Sequence, residues 1–558
     1  MNSNNKAITK PLKLSNDAPE LPATYYRDNF HCLVNTVVEQ YADLLTPQEH
    51  LWYRTYIALS KPAQCLYIRL LSRKGPFFRS DKLQYPEIVP LPDALAELNS
   101  TGMATLQPDT IPYREFCALY TKPELISRFD FLSSNKQAKK PDLVEQVINH
   151  QPDLSQHNRQ ILEVHHTQHL EVFFLLFFGN THQDLSQFVL ADIGIQRFEN
   201  YPIDSAYRLF NRRQDIEDWL VLSAMTEQYW QHKESKEIQA IADMQFAIPG
   251  TYSWPPTEKK RQRLINHIAR DIERLGNHAP ERLEQARVLY RQSERAPSRE
   301  RQVRILDKQG DTAQALAIAK QMLHSPLSEE EADVAEVLTH RLLNKIGDKQ
   351  PPRKKPNFDN EQLQLNQQQS CVELDVAAYY QQQGWQPYYL ENTLLCGLFG
   401  LAMWDIIFSA EHGAFLNPFQ RSPKDMFTRD FYLSRQQKID RRLAELNAKQ
   451  WNDWLEVFRA KQGISNDWVH WGVLTEEIIT QAVSAIPPKA LTAIFRRILF
   501  DPRNNRSGFP DLILFKPGRY CFAEVKGPGD TLQSNQIRWL KMFQQQQITA
   551  KVVYVQWI

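Results

Sequence analysis

The chain has 558 residues, 42% hydrophobic and 23% charged, with 66 Lys and Arg against 65 Asp and Glu. That length exceeds what one hydrophobic core fills, and the balance is that of an ordinary globular protein, so several domains are expected. A net charge of +1 says nothing about nucleic acid by itself, and any polyanion-binding role must come from local patches.

The six cysteines (Cys32, Cys65, Cys117, Cys371, Cys396 and Cys521) lie far apart with no CxxC pair. That excludes a disulfide scaffold or a zinc finger and fits a reducing compartment. The longest apolar runs, Val172 to Phe178 and Leu394 to Met403, are too short to span a bilayer. Residues 1–6 carry no apolar signal core. An intracellular protein without a membrane partner is expected.

In chain order, residues 1 to about 20 read as a polar, proline-containing tail. From residue 25 to about 100, apolar positions recur at helical spacing, as in Phe30, Leu33, Val34, Val37, Val38 and Tyr41. Here Arg69, Arg73, Lys74 and Arg79 are interleaved with aromatics. A surface gripping a phosphate backbone needs that combination, although a solvated basic helix face has the same composition. Residues 105–160 read as two short helices, Leu119 to Phe129 and Asp142 to Asn149, around a link holding Lys136, Lys139 and Lys140. The pattern looks like a SAP-type DNA-backbone binder, or a plain helical connector.

Residues 161–347 read as helical, with a tetratricopeptide-like run of hairpins from about 255. Leu283, Ala286, Leu289 and Tyr290 form one apolar stripe; Ala315, Leu316, Ala319 and Leu323 form another. The segment Phe188 to Gly194 reads as core. From 251 to 310 there are 14 Lys and Arg against 8 Asp and Glu, a net +6. Lys259, Lys260, Arg261 and Arg263 open that basic stretch, read as a groove for duplex DNA against the alternative of a solvated face. Residues 348–369 are charged, Gln-rich and aperiodic, hence a predicted linker.

The last segment, 370–558, carries the chemistry. Gly508-Phe509-Pro510-Asp511 opens an apolar strand to Phe515, Pro517-Gly518 turns, and a second strand runs from Arg519 to Lys526. Alternation sends Glu524 and Lys526 to one side. If the strands pair, Asp511 joins them. Hard carboxylate oxygens hold Mg²⁺ or Mn²⁺, and the cation polarises a phosphodiester and acidifies water; a lysine beside them orients that water or neutralises developing charge. A helix from about Ser534 to Gln547 and a strand from Ala550 to Trp557 complete a βββαβ pattern.

Asp511 with Glu524-Val525-Lys526 matches the PD…ExK signature of restriction-endonuclease-like nucleases. The wider text, Arg506 to Leu512 and Glu524 to Asp530, resembles the virus-type replication-repair nuclease domain. Within that group the chain is most similar to the Fanconi-associated nuclease family, in a compact bacterial form. That family has a further catalytic carboxylate at a helix start, and Tyr389-Leu390-Glu391-Asn392-Thr393-Leu394 matches it, which makes Glu391 a site residue.

The resemblance covers nearly the whole chain and favours DNA contact for the N-terminal patch. It implies a multidomain, mainly α protein: a helical N-terminal domain (1–104), the SAP-like module, the solenoid-like domain and a C-terminal α/β nuclease domain. It also implies a structure-specific nuclease with 5′-flap endonuclease and 5′-to-3′ exonuclease activity in DNA interstrand crosslink repair. Glu391, Asp511 and Glu524 would hold one or two Mg²⁺ or Mn²⁺ ions with the Val525 carbonyl, Lys526 would position water, and Gln536 could reach the site. Arg421, Lys424, Arg503 and Arg506 are further candidate DNA contacts. The ubiquitin-binding zinc finger of eukaryotic members has no counterpart here, so recruitment through ubiquitin is not expected. Two alternatives stay open: a four-way-junction resolvase on the same fold, and a non-catalytic branched-DNA scaffold.

Overall fold

The computed structural model describes residues 24–135, 137–181, 196–276, 279–353, 356–369 and 371–558. The predicted tail, Lys136 and the Phe188 to Gly194 segment lie outside them. The chain divides into two compact units. Among the described residues, one holds 24–181 and 203–220, and the other holds 196–202 and 221–558.

In the first unit, helices Tyr25–Tyr41, Pro47–Ala58 and Lys61–Leu71 bury Phe30, Leu33, Val34, Val37, Tyr56 and Leu66, as the helical period requires. Thr46 and Glu49 close a capping box that fixes the start of the second helix. Three short strands make an antiparallel sheet of order β1-β3-β2: β1 (Phe77–Arg79), β2 (Ala104–Leu106) and β3 (Ile161–Val164). The SAP-like reading corresponds to helices Tyr113–Ala118, Lys122–Arg128 and Lys140–His150, one more than expected. Phe77 of β1 and Ile161 of β3 join the core of this module. Three-residue strands give too little alternation to be read from sequence.

In the second unit, helices Pro255–Leu275, Glu281–Tyr290, Ser298–Gln309, Thr312–His324 and Glu329–Lys345 pack each on the next, as expected for hairpins. The last is anchored to the nuclease segment: Glu329 pairs with Arg497 at 2.8 Å and accepts from Asn505, while Arg538 reaches Asp333 at 2.8 Å. The hairpins and the nuclease segment are therefore one compact unit.

The nuclease segment holds a five-stranded sheet of order β4-β8-β7-β6-β5. Its strands are β4 (Asn360–Leu365), β5 (Gln386–Tyr389), β6 (Leu512–Lys516), β7 (Arg519–Lys526) and β8 (Ala550–Trp557). β5 pairs antiparallel with β6, and β6 with β7, whereas β8 lies parallel to both β7 and β4. Helix Val372–Gln382 covers one face, packing Val376 and Tyr380 on Leu512, Leu514, Ala523 and Val525. Helix Ser534–Gln545 meets the other, with Phe543 stacked on Phe522 at 5.1 Å.

β4 corrects the predicted linker. Residues 360–365 read as Asn-Glu-Gln-Leu-Gln-Leu, and only Leu363 is buried, because an edge strand covered on one face needs few apolar side chains. Among the described residues no single helix is long and apolar enough to cross a membrane.

Candidate active site

Asp511 sits immediately before β6. The β6–β7 register pairs Leu512 with Ala523, so one residue earlier Asp511 faces Glu524. The Val525 N–H donates to Asp511 Oδ2 at 2.8 Å and fixes its carboxylate over the hairpin. Lys526, two residues after Glu524, brings its ammonium to 2.9 Å from Glu524 Oε1. The strand alternation thus gathers the three groups as the sequence predicts.

The approach to Asp511 is fixed. Gly508 has φ +86°, and a Cβ there would lie 2.7 Å from Asn535 Cγ, so both the backbone region and the space demand glycine. The Trp539 indole N–H donates to the Ser507 carbonyl at 3.1 Å, and Asn392 Oδ1 accepts from the Phe509 N–H. Asn392 also donates to Glu391 Oε1 at 2.8 Å. The N–H groups of Leu390 and Glu391 both donate to the Asp511 carbonyl, at 3.2 and 3.0 Å. Glu391, at φ +37°, is thereby tied to Asp511 through the backbone, and its side chain is exposed.

Glu524 is 0% exposed, and neither carboxylate oxygen has a directed hydrogen bond; the Lys526 ammonium is an ion-pair neighbour only. Burial, and then the charge of Asp511, pushes its carboxyl up to about 8. Burial pushes Asp511 up to about 6, with the nearby Glu373 adding to the rise against the Val525 N–H. A buried, unsatisfied carboxylate beside a second one is the donor set that a hard divalent cation completes, so these residues fit Mg²⁺ or Mn²⁺. Among the described residues no three acidic, His or Cys side chains are already gathered to hold an ion.

Gln536 does not aim at this site. Its Oε1 accepts the Gln533 N–H at 2.9 Å and caps the Ser534–Gln545 helix. Two neighbours escaped sequence reasoning: Glu373, in the first turn of helix Val372–Gln382, and Tyr389, 44% exposed at the end of β5. Both charge-couple to the site, and neither sits in a motif.

The candidate DNA contacts differ in their surroundings. In the first unit, Arg69 pairs with Glu87 at 2.7 Å and lies over the Tyr26 ring. Arg79, 9% exposed, is held by Asp81 and Glu124. Arg73 and Lys74 are exposed. In the second unit, Arg261 is 4% exposed and serves internally, bonding Glu258, the Pro249 carbonyl and Gln292. Lys259 pairs with Asp430 at 2.5 Å, and Arg421 with Asp467 at 3.4 Å.

Lys260, Arg263 and Lys424 crowd together, and Arg295, which the sequence did not flag, feels the Arg263 charge too. Desolvation, then Arg263, pushes Lys260 down to about 8. Desolvation, then the charges of Lys260 and Arg263, moves Lys424 the same way. Arg503 is exposed. The exposed Arg506 lies over the Phe427 ring at 4.7 Å and near Trp468 at 6.0 Å.

Comparison with known proteins matches these regions. The family description "FAN1, HTH domain" fits residues 24–105, and "VRR-NUC domain" fits 447–557. The chain is 33% identical over 97% of its length to a Fanconi-associated nuclease 1 homolog of Pseudomonas aeruginosa, covering 97% of that protein. The chain belongs to the Fanconi-associated nuclease 1 family. Membership makes it a DNA nuclease, with the C-terminal sheet as its nuclease domain.

An Arabidopsis thaliana member of the family is 26% identical over 93% of the chain, which spans 65% of that longer protein. The crystal structure of paFAN1 bound to 2nt 5′-flap DNA with gap superposes with a TM-score of 0.81 at 32% identity, covering 97% of this chain and all of that one. A second paFAN1 complex, with 1nt 5′-flap DNA, matches at 0.78 over 96% of this chain.

Proposed function

We propose that the chain is a divalent-metal-dependent 5′-flap endonuclease and 5′-to-3′ exonuclease that acts inside the cell in DNA interstrand crosslink repair. The observation that carries this is the buried, unsatisfied Glu524 carboxylate opposite Asp511 and beside Lys526. The likeness to a relative bound to 5′-flap DNA supports the substrate class.

When bound, Mg²⁺ or Mn²⁺ supplies Lewis acidity, polarising a phosphoryl oxygen and making a water acidic enough to attack. Glu391, Asp511, Glu524 and the Val525 carbonyl would hold it. Lys526 donates a hydrogen bond that orients the attacking water in line with the leaving oxygen, and its charge offsets that gathering on the phosphoryl group. The fixed loop from Arg506 to Asp511 keeps the scissile phosphate in register with these groups. The cations Lys260, Arg263, Lys424, Arg503 and Arg506 grip the backbone of the duplex arms, so selection falls on shape rather than base sequence.

The test is cleavage of an end-labelled 5′-flap duplex with Mn²⁺ or Mg²⁺, beside matched 3′-flap and four-way-junction substrates and the Asp511→Ala variant. Metal-dependent cuts near the 5′-flap junction, absent from the variant, are expected. Preference for the four-way junction would favour a resolvase, and tight flap binding without any cleavage would favour a scaffold.

A further inference from the structure

The loop from Asp501 to Ser507 carries Arg503 and Arg506, both exposed, and leads into Asp511. Its inner side is tied down along its length. Asp501 ends helix Pro488–Phe500, and its carbonyl accepts the Asn505 N–H at 2.9 Å. At the far end the Trp539 indole holds the Ser507 carbonyl. Between them stands a side chain from outside the nuclease segment: Glu329, in the first turn of the last hairpin helix, Glu329–Lys345. Its Oε1 accepts from the Asn505 side chain at 2.9 Å, and its Oε2 from Arg497 at 2.8 Å. The Glu329 N–H donates to Asp501 Oδ2 at 3.1 Å. Arg497 in turn lies 5.5 Å over the Trp539 ring, so one carboxylate reaches both ends of the loop.

We propose that Glu329 is a positioning residue for cleavage: it fixes the Asp501–Ser507 loop and so sets where Arg503 and Arg506 hold the DNA backbone relative to Asp511. The inference rests on the reading of those two arginines as backbone contacts. Glu329, Asp501 and Asn505 are all buried, so water cannot replace a lost partner. Without the carboxylate, Arg497 becomes a buried charge whose Nε already lacks a partner, and Asn505 Nδ2 is left with the Arg497 carbonyl. A loop freed in this way lets the two arginines wander. In-line attack tolerates little of that, since a misplacement of about 1 Å costs about 10²-fold in rate. Glu331, two residues on, is as buried but serves the hairpins alone. It pairs with Arg299 at 2.6 Å and accepts the Leu327 N–H. The two carboxylates therefore separate a loss of stability from a loss of placement.

The experiment measures single-turnover cleavage of an end-labelled 5′-flap duplex with Mn²⁺, flap affinity by gel shift, and melting temperature, all on the full chain. The variants are Glu329→Ala, Glu329→Gln, Asn505→Ala, Glu331→Ala and the double change Arg503→Ala with Arg506→Ala. Glu329→Ala is expected to slow cleavage at saturating DNA at least about tenfold, to keep affinity within about threefold, and to spread the cuts over neighbouring phosphates. Glu329→Gln, which keeps an acceptor for Asn505, should recover much of the rate and the wild-type cut position. Asn505→Ala breaks the same contact from the loop side. It should also slow and spread cutting, and it reads the contact if Glu329→Ala does not fold. Glu331→Ala should lower the melting temperature yet cut at the wild-type rate and position. Wild-type rate and cut position in Glu329→Ala or Asn505→Ala, or an equal loss in Glu331→Ala, overturns the proposal. If the arginine double variant loses affinity or cleavage while Glu329→Ala loses nothing, only the role of Glu329 falls. If the double variant matches wild type, the reading of the two arginines falls, and the proposal with it.

Discussion

Two clusters of like charge lie in the second unit, and they mirror each other. In the acidic one, burial and mutual repulsion drive Asp511 up to about 6 and Glu524 up to about 8. In the basic one, desolvation and Arg263 drive Lys260 down to about 8. Both hold groups close to giving up their charge near neutral pH, and a ligand of opposite sign restores it. On the proposed function the first would receive cations and the second a phosphate backbone. The N-terminal patch differs from both, since Arg69 and Arg79 already have carboxylate partners.

The largest effect belongs to the acidic cluster. Asp511→Ala should lower single-turnover flap cleavage by about 10³-fold or more, as expected when a group that holds a catalytic ion is lost. Flap affinity in a gel-shift assay should change little. Loss of binding together with cleavage would break the division of labour between the clusters.

Next comes the basic cluster. The double substitution Lys260→Ala and Arg263→Ala should weaken flap binding about tenfold and flatten the log–log salt dependence by about two phosphate contacts. At saturating DNA the cleavage rate should hold. An unchanged salt slope would remove these residues from the interface.

The same cluster gives a pH dependence. A lysine held below its ordinary value is partly neutral in the free protein at pH 8, and phosphate contact raises it again. Flap binding near pH 8 should therefore take up protons, and affinity should fall as pH rises through 8. Calorimetry in buffers of different ionisation enthalpy reads that uptake, which should shrink in Lys260→Ala. With free DNA absent the sign reverses: the depressed lysine costs stability below pH 8, and the cost fades as pH climbs toward the unfolded value.

The smallest effect sharpens the contrast with the N-terminal patch. Arg79→Ala should leave flap affinity within about twofold while costing about 1–2 kcal/mol of stability, discounted because Asp81 and Glu124 are partly exposed. Denaturant melts and binding curves of the one variant check both. A marked loss of affinity would move Arg79 from scaffold to interface.

The strands that carry the chemistry were legible. β7 and β8 have the bounds the sequence predicts, because alternation, a Pro-Gly turn and apolar runs coincide there. Asp511, Glu524 and Lys526 follow from strand parity. β4 was hidden by its glutamines, and the β1-β3-β2 sheet by strands too short to show a period. Composition also could not sort the cations: Arg261 and Arg263 are two residues apart on one helix, yet one is buried in hydrogen bonds and the other exposed. That difference depends on what a distant segment brings opposite each side chain. Glu373 was invisible for the same reason, since only the fold brings its charge to bear on Asp511 across more than a hundred intervening residues.

The position of β8 has a consequence for the timing of activity. Among the described residues, β7, which carries Glu524 and Lys526, gains its second neighbour from residues 550–557, and β4 pairs with that strand alone. While a ribosome is still making the chain, both halves of the sheet have open edges and the pocket around Glu524 lacks the strand beside it. The sheet around Glu524 can therefore close only after residues 550–557 have been made, later than the helices that carry the basic cluster.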